Sequence, residues 1–362
     1  MKLRACNLLF MSAALLVFLS TSADAKRRSN SVGSGSPDPP SRLDTDNPLL
    51  PGMNHGETLT KFIDRTLRPS TSFNKRCSEI IDKLVRTLQA KSSPFNIKGI
   101  VKGGSLGKGT SVRDKSDIDL IIFFNDYNTV KGLQKYKDKL LQQLKAFVQD
   151  EWSDHFIYKE ITPFSVQFYL KIDEEDTEHE VDLLPALDIT KSGRKPSEIY
   201  EEMLDQQPKV RDHYSSCLAP LQLEFVTHTD RMATPAKVKD FMRLLKYWAK
   251  VEDVPLRSYF LELLVVRQWR EDGKPKDIDT ETYLYRALQQ LAQLRDMAIA
   301  FSDNYNFVDY VPNIKKPFLL DPANPFKNVA PSSKRDVDVV VKKSQILLER
   351  GWPKSARLSD EL

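Results

Sequence analysis

Val101-Lys102-Gly103-Gly104-Ser105-Leu106-Gly107-Lys108-Gly109-Thr110-Ser111 leads, through Val112-Arg113-Asp114-Lys115, into Ser116-Asp117-Ile118-Asp119-Leu120-Ile121-Ile122-Phe123-Phe124. A Gly/Ser turn thus precedes two acids one residue apart, and those acids open an apolar run. In a strand, residues i and i+2 face the same side. Asp117 and Asp119 therefore project together, while the Ile/Phe run buries the strand beneath them. Two carboxylates separated by two strand rises, roughly 6–7 Å, can share Mg²⁺ ions, which favour oxygen ligands and substrate phosphates. The turn offers backbone N–H groups to a phosphate tail. Together the two motifs read as a metal-dependent nucleotidyl-transfer site. Either alone is commonplace, as a loop or as a solvated strand start; their order and spacing give the signal.

A third acid strengthens it. Phe164 to Ile172 alternates apolar and polar residues, as a half-buried strand does. His179-Glu180-Val181-Asp182-Leu183-Leu184-Pro185-Ala186 follows an acidic stretch. The two segments read as a hairpin, with Asp182 on its second strand. An ionised Asp among Val and Leu is costly to bury unless it is paired or binds metal. The bland alternative is an Asp that caps a strand end. In a two-metal, in-line displacement, Asp117 and Asp119 would hold both ions. Asp182 would complete the acceptor-side ion and sit near the attacking hydroxyl.

These residues resemble the 2′-5′-oligoadenylate synthetases of the polymerase-β-like nucleotidyltransferase superfamily, as a divergent member of invertebrate type. The likeness runs in order from about residue 57 to about 352. It includes Leu59-Thr60-Lys61-Phe62-Ile63 as an opening helix and Glu180 to Asp188 as the third-acid strand. Lys239-Asp240-Phe241-Met242-Arg243-Leu244-Leu245-Lys246-Tyr247-Trp248, Val254 to Leu264 and Leu319-Leu320-Asp321-Pro322-Ala323-Asn324-Pro325 extend it. The resemblance implies an α+β, bilobal nucleotidyltransferase, with an N-lobe of mixed β-sheet and helices and a mostly helical C-lobe. It also implies polymerisation of ATP into 2′-5′-linked oligoadenylate, with two Mg²⁺ ions (Mn²⁺ as a substitute) and a role in innate antiviral signalling.

By the same resemblance, Gly104 and Ser105 contact the donor triphosphate, Lys246 neutralises it, and Ser258 and Tyr259 face the donor nucleotide, Tyr259 stacking on adenine. Many vertebrate members carry Gln where this chain has Ser258; related cyclic-dinucleotide synthases carry Ser-Tyr. Read without the family, Arg243 and Lys246 share one helix face at i, i+3, which is equally a solvated basic edge. With it, both are ATP-binding candidates.

Vertebrate members respond to double-stranded RNA held on a basic face. Phosphate contacts of that kind need Lys or Arg. Lys102 and Lys108 are the retained RNA-binding candidates. Cys217 to His228, aligned with a second basic patch, has neither Lys nor Arg, and Asn74 stands where an Arg is expected. A net charge of +4 and a pI near 8.7 are mildly basic, short of a dedicated nucleic-acid binder. RNA activation is therefore expected to be weak, altered or absent. Cys6, Cys77 and Cys217 are too few for a four-ligand zinc site, which argues against the zinc-ribbon branch of cyclic GMP-AMP synthases. The chain lacks the Cys-Phe-Lys element tied to oligomerisation in some members, so a monomer is expected.

Lys2 and Arg4, an apolar Leu8–Phe18 core and Ala23-Asp24-Ala25 follow the grammar of a cleaved secretory leader. The core is short for a membrane span, so none is expected in the mature chain. The end Ser359-Asp360-Glu361-Leu362 looks like a variant retrieval tag. The expected location is the endoplasmic-reticulum lumen or secretory pathway; the family's usual cytoplasmic location is the alternative. The expected organisation is a leader at 1–25, a Ser/Gly/Pro-rich disordered linker at 26–56, an N-lobe at 57–195, a helical C-lobe at 196–352 and a tail at 353–362. Helices are expected at 60–67, 74–90, 131–151, 196–206, 235–251, 257–271, 280–301 and 335–350. Strands are expected near 97–102, 118–124, 164–172 and 180–187.

The rival readings are a 3′-5′ tailing enzyme, a cyclic-nucleotide synthase, a non-enzymatic RNA sensor and a secreted signalling protein on the same scaffold. Linkage depends on which acceptor hydroxyl lies in line, which the sequence leaves open.

Overall fold

Alternation decides the sheet. Ile118, Leu120 and Ile122 in β2 (Asp117–Phe124) are buried on one face, as are Val181 and Leu183 in β5 (Glu178–Ala186) and Phe168 and Leu170 in β4 (Val166–Lys171). The residues between them take the other face, among them Asp119 in β2, Gln167 and Tyr169 in β4 and Glu180 and Asp182 in β5. A computed structural model describes residues 48–113, 117–171, 178–190, 193–229, 231–350 and 352, without the Asp117 side chain. The expected leader 1–25, residues 26–47 of the expected linker and the tail 353–362 lie outside the described residues.

The five strands run in the order β1-β2-β5-β4-β3, with β1 at Ile97–Lys102 and β3 at Phe156–Ile161. β2 and β5 pair in parallel and the other neighbours antiparallel, so β4 and β5 form the expected hairpin. The register sets Asp119 beside Asp182 and Asp117 beside Glu180. β3 was not foreseen. It is an edge strand with a register shift between Tyr158 and Glu160, which breaks the period-two pattern.

Helices cover the apolar face. α2 (Thr71–Leu88) begins where the Ser70 hydroxyl accepts from Phe73 N at 3.1 Å, and buries Phe73, Cys77, Ile80, Ile81, Leu84 and Leu88. It follows α1 (Leu59–Phe62), which runs into a π-turn at Ile63–Leu67. α4 (Val130–Glu151) buries Leu133, Leu140, Leu141, Leu144 and Val148. The short α3 (Gly104–Lys108) sits between β1 and β2 and ends at Gly109, whose φ of 69° is left-handed.

Beyond the sheet come α5 (Pro196–Leu204), α6 (Pro208–Cys217), α7 (Ala219–Thr227) and the two-residue strands β6 (His228–Thr229) and β7 (Met232–Ala233). Then follow α8 (Ala236–Val251), α9 (Ser258–Glu271) and α10 (Thr280–Ala292). β8 (Ala298–Ile299), α11 (Phe307–Tyr310), β9 (Phe318–Asp321), β10 (Asn324–Asn328) and α12 (Lys334–Leu348) close the described chain. The helix expected over 280–301 stops at Ala292, because Ala298 and Ile299 pair with Phe318 and Leu319 in a small three-stranded sheet.

The fold is therefore α+β. One hydrophobic core joins the sheet to α2 and α4; the other is built on α8, α9, α10 and α12. They do not part at residue 195. Leu59, Phe62, Ile63 and Leu67 pack into the helical core, while Tyr200, Tyr214 and Cys217 pack under the sheet. Leu50, inside the expected linker, is fully buried in the helical core. The Leu49-Leu50 pair, set between Pro48 and Pro51, is too short to show a period, which hid it from composition. No described helix is long and apolar enough to cross a membrane.

Candidate active site

The glycine loop folds directly onto the first acid strand. Gly103 N donates to Asp119 O at 2.7 Å. Gly104 has φ +54°, and a Cβ there would collide with Asp119 Oδ2. A side chain at Gly103 would strike Ile121. Glycine at both positions is thus what lets the loop lie against the carboxylate.

Asp182 is half-buried, and its Oδ2 accepts from Gln167 Nε2 at 2.7 Å. Gln167 faces Asp182 across the β4–β5 ladder. Of the three expected acids, Asp119 and Asp182 are side by side on adjacent strands, and Asp117 is one pleat along on β2. Among the described side chains, no three His, Cys, Asp or Glu converge as a cation site. The donor set is nevertheless all oxygen, and glycine at 104 leaves the space before Asp119 clear. Asp119 and Asp182 suit Mg²⁺, which prefers such ligands.

A cavity of about 560 Å³ opens over this edge of the sheet. Gly104, Ser105, Lys108, Asp119, Lys246, Ser258 and Tyr259 line it, so most of the expected site residues meet there. Ser258 starts α9. The Tyr259 hydroxyl donates to Asp321 Oδ1 at 3.2 Å.

Glu262 went unforeseen and organises the far wall. It is 1% exposed. Lys108 Nζ donates to it at 2.8 Å, Thr110 Oγ1 at 2.6 Å, and Lys246 Nζ is also paired with it. Burial alone would raise its carboxyl, but the two ammonium groups outweigh that and hold it down at about 2. One carboxylate thus binds two lysines, leaving a net positive charge beside the cavity. The signal was in the sequence: a Glu inside Phe260-Leu261-Glu262-Leu263-Leu264 is out of place unless paired.

Two expected contact residues are engaged within the protein. Lys108, read as an RNA contact, faces inward; its ammonium lies 4.2 Å from the Tyr259 ring centroid as well as on Glu262. Arg243, read as an ATP contact, is a brace. It donates to Gly109 O at 2.6 Å, Ser111 O at 2.8 Å and Asp240 Oδ1 at 2.6 Å, so three of its five N–H donors go to the protein. Lys102 remains at the surface, 3.6 Å from Asp82. Lys246 does line the cavity, already engaged by Glu262 and by Thr110 Oγ1 at 2.8 Å.

Asp321 explains the late Leu-Asp-Pro-Ala segment. It is buried, and accepts from Tyr259, from Ala323 N at 2.8 Å and from Gln222 Nε2 at 2.5 Å. Burial still pushes its carboxyl up to about 6.

Comparison with known proteins follows the same division. A family model for the nucleotidyltransferase domain matches residues 81–205, and one for 2′-5′-oligoadenylate synthetase 1, domain 2, C-terminus, matches residues 193–359. Mouse 2′-5′-oligoadenylate synthase 3 is 28% identical over 306 residues, 75% of this chain but only 26% of that protein. Rat inactive 2′-5′-oligoadenylate synthase 1B is 27% identical over 309 residues, 76% of this chain and 79% of the relative. Among solved structures, a complex of E. coli MS115-1 CdnC with HORMA-deltaN superposes with a TM-score of 0.54 at 19% identity, covering 79% of this chain and 87% of that one. That likeness concerns the fold alone. The nucleotidyltransferase-domain model spans the sheet and its acids and the oligoadenylate-synthetase model the helical wall, so the chain is a nucleotidyltransferase similar, as a divergent relative, to the 2′-5′-oligoadenylate synthetases.

Proposed function

We propose that this protein is a nucleotidyltransferase that adds adenylate from ATP to an acceptor 2′-hydroxyl, building 2′-5′-linked oligoadenylate and releasing pyrophosphate. One observation carries the reading. Asp119, in register with Asp182 on the neighbouring strand, lines the same cavity as the glycine loop, Lys108 and Lys246. Acids on one side and cations on the other suit a metal–triphosphate.

Asp117, Asp119 and Asp182 would hold Mg²⁺, which when bound neutralises phosphate charge and favours in-line displacement. The acceptor oxygen bonds to the α-phosphorus as the bond to the β-phosphate oxygen breaks. Asp182 takes the proton of the attacking hydroxyl. Gln167 keeps the Asp182 carboxylate turned by binding one of its oxygens. Ser105 and the loop amides bind the triphosphate, and Lys108 and Lys246 balance the departing pyrophosphate. Tyr259, tethered through its hydroxyl, offers its ring to the donor base.

Double-stranded RNA is not required in this reading. α7 carries no Lys or Arg, and Lys108 is turned inward. The test is incubation with ATP and Mg²⁺, with and without duplex RNA, followed by digestion with a nuclease specific for 3′-5′ bonds. Resistant oligoadenylate should form at the same rate in both cases. Asp182→Asn should lower that rate by about 10²–10⁴-fold. Digestible product would overturn the linkage, and product only with RNA would overturn the independence. A relative named as inactive makes the wild-type measurement decisive.

A further inference from the structure

The sheet-side wall of the cavity holds an aromatic residue that the reaction described so far does not use. Tyr169 lines the cavity beside Glu178 and Glu180. It lies opposite Glu180 in the β4–β5 ladder, with Lys171 opposite Glu178 and Gln167 opposite Asp182. Directly paired residues share a face, so Tyr169 stands two positions along β4 from the residue that holds Asp182. That separation is about 7 Å at the usual strand rise. Its neighbours Phe168 and Leu170 point the other way and are fully buried. Tyr169 therefore takes no part in the core beneath the sheet.

Two ion pairs frame the ring. Lys159 is paired with Glu180, and its ammonium is 5.8 Å from the Tyr169 ring centroid. Lys171 Nζ is 3.3 Å from Glu178. The two lysines cancel the two glutamates, so this wall does not carry the acidic charge that its glutamates alone would bring against a polyanion. What remains is an aromatic face edged by donors and acceptors, the combination that binds a base by stacking and by its polar edge. Across the cavity Tyr259 offers a second ring, next to the lysine wall assigned to the donor. Two nucleotides must meet in such a site; of the three tyrosines that line the cavity, Tyr247 is tied to Pro51 O and packed on Phe62, which leaves Tyr169 on the sheet and Tyr259 on α9.

We propose that Tyr169, with the Lys159–Glu180 pair at its edge, is the stacking platform for the nucleobase of the acceptor nucleotide. The proposal rests on the adenylate-transfer reading above. It makes Tyr169 an acceptor-binding residue whose loss acts on one substrate and spares the other.

The experiment uses the full chain and the variants Tyr169→Leu and Tyr169→Phe. Transfer from saturating ATP to a 2′-5′ adenylate dinucleotide gives the acceptor KM. Calorimetry gives the Kd of a non-hydrolysable ATP analogue, and then the Kd of AMP for protein saturated with that analogue. Tyr169→Leu should raise the acceptor KM and the AMP Kd about tenfold and leave the analogue Kd unchanged. Tyr169→Phe, which keeps the ring, should restore both acceptor values. Equal weakening of AMP and analogue by the Leu variant would reduce Tyr169 to a structural residue and overturn the proposal, as would a Leu variant that matches wild type. If wild-type protein transfers nothing, the transfer reading fails, and the AMP titrations still decide whether Tyr169 binds a nucleotide.

Discussion

Glycine at position 104 is demanded twice, by its left-handed backbone and by the carboxylate in front of it. An L-residue at such φ costs about 1–2 kcal/mol, which the fold can absorb. A methyl group pressed on Asp119 displaces a metal-binding oxygen. Gly104→Ala should therefore lower transfer about a hundredfold while the melting temperature falls by only a few degrees, as paired activity and calorimetric measurements would reveal. At this scale the acids were plain in the sequence, because strand period fixes which face Asp117, Asp119 and Asp182 take. The direction of Lys108 was not, since a residue at the end of a short helix can turn to solvent or inward. Only Glu262, far along the chain, decides it.

Ahead of β2, the segment 109–113 is held by arginine side chains as well as by a few backbone bonds. Arg243 of α8 binds the carbonyls of Gly109 and Ser111. Arg113 N donates to Leu67 O at 2.8 Å, and its guanidinium caps the π-turn through Arg65 O at 2.5 Å and Arg68 O at 3.0 Å. This segment precedes the strand that carries Asp117 and Asp119. Arg243→Met keeps the stem but removes every donor, so it should cost about 3 kcal/mol and speed amide exchange across 109–113. Unchanged exchange there would remove the bracing role. Element by element, α8 and α9 were legible from apolar spacing, and the β4–β5 hairpin from alternation. The α6–α7 break was not read, because Pro208 and Pro220 each start a short helix and neither leaves room for a long periodic run.

For the molecule as a whole, one buried carboxyl works against the usual gain in stability with pH. Asp321 is raised to about 6 from an ordinary 3.8, with burial as the largest cause. Between those values the folded chain keeps a proton that the unfolded chain has lost. The stability this proton lends is full below about pH 4 and declines as pH rises toward 6. Relative to Asp321→Asn, wild-type protein should lose on the order of 3 kcal/mol across that window, measured by urea unfolding at fixed ionic strength. A difference that grows with pH would invert the sign and refute the assignment. The meeting of Asp321 with Tyr259 and Gln222 brings together three distant stretches of sequence, so spacing alone did not reveal it.

Cys77 and Cys217 are both fully buried thiols, one on α2 and the other at the end of α6. Burial pushes the Cys217 thiol up to about 11, and both sulfurs are shielded from solvent reagents while the fold is closed. With Cys6 replaced by Ser, the same two sulfurs become a clock: a thiol reagent added to native protein reports how often the sheet-side core comes apart.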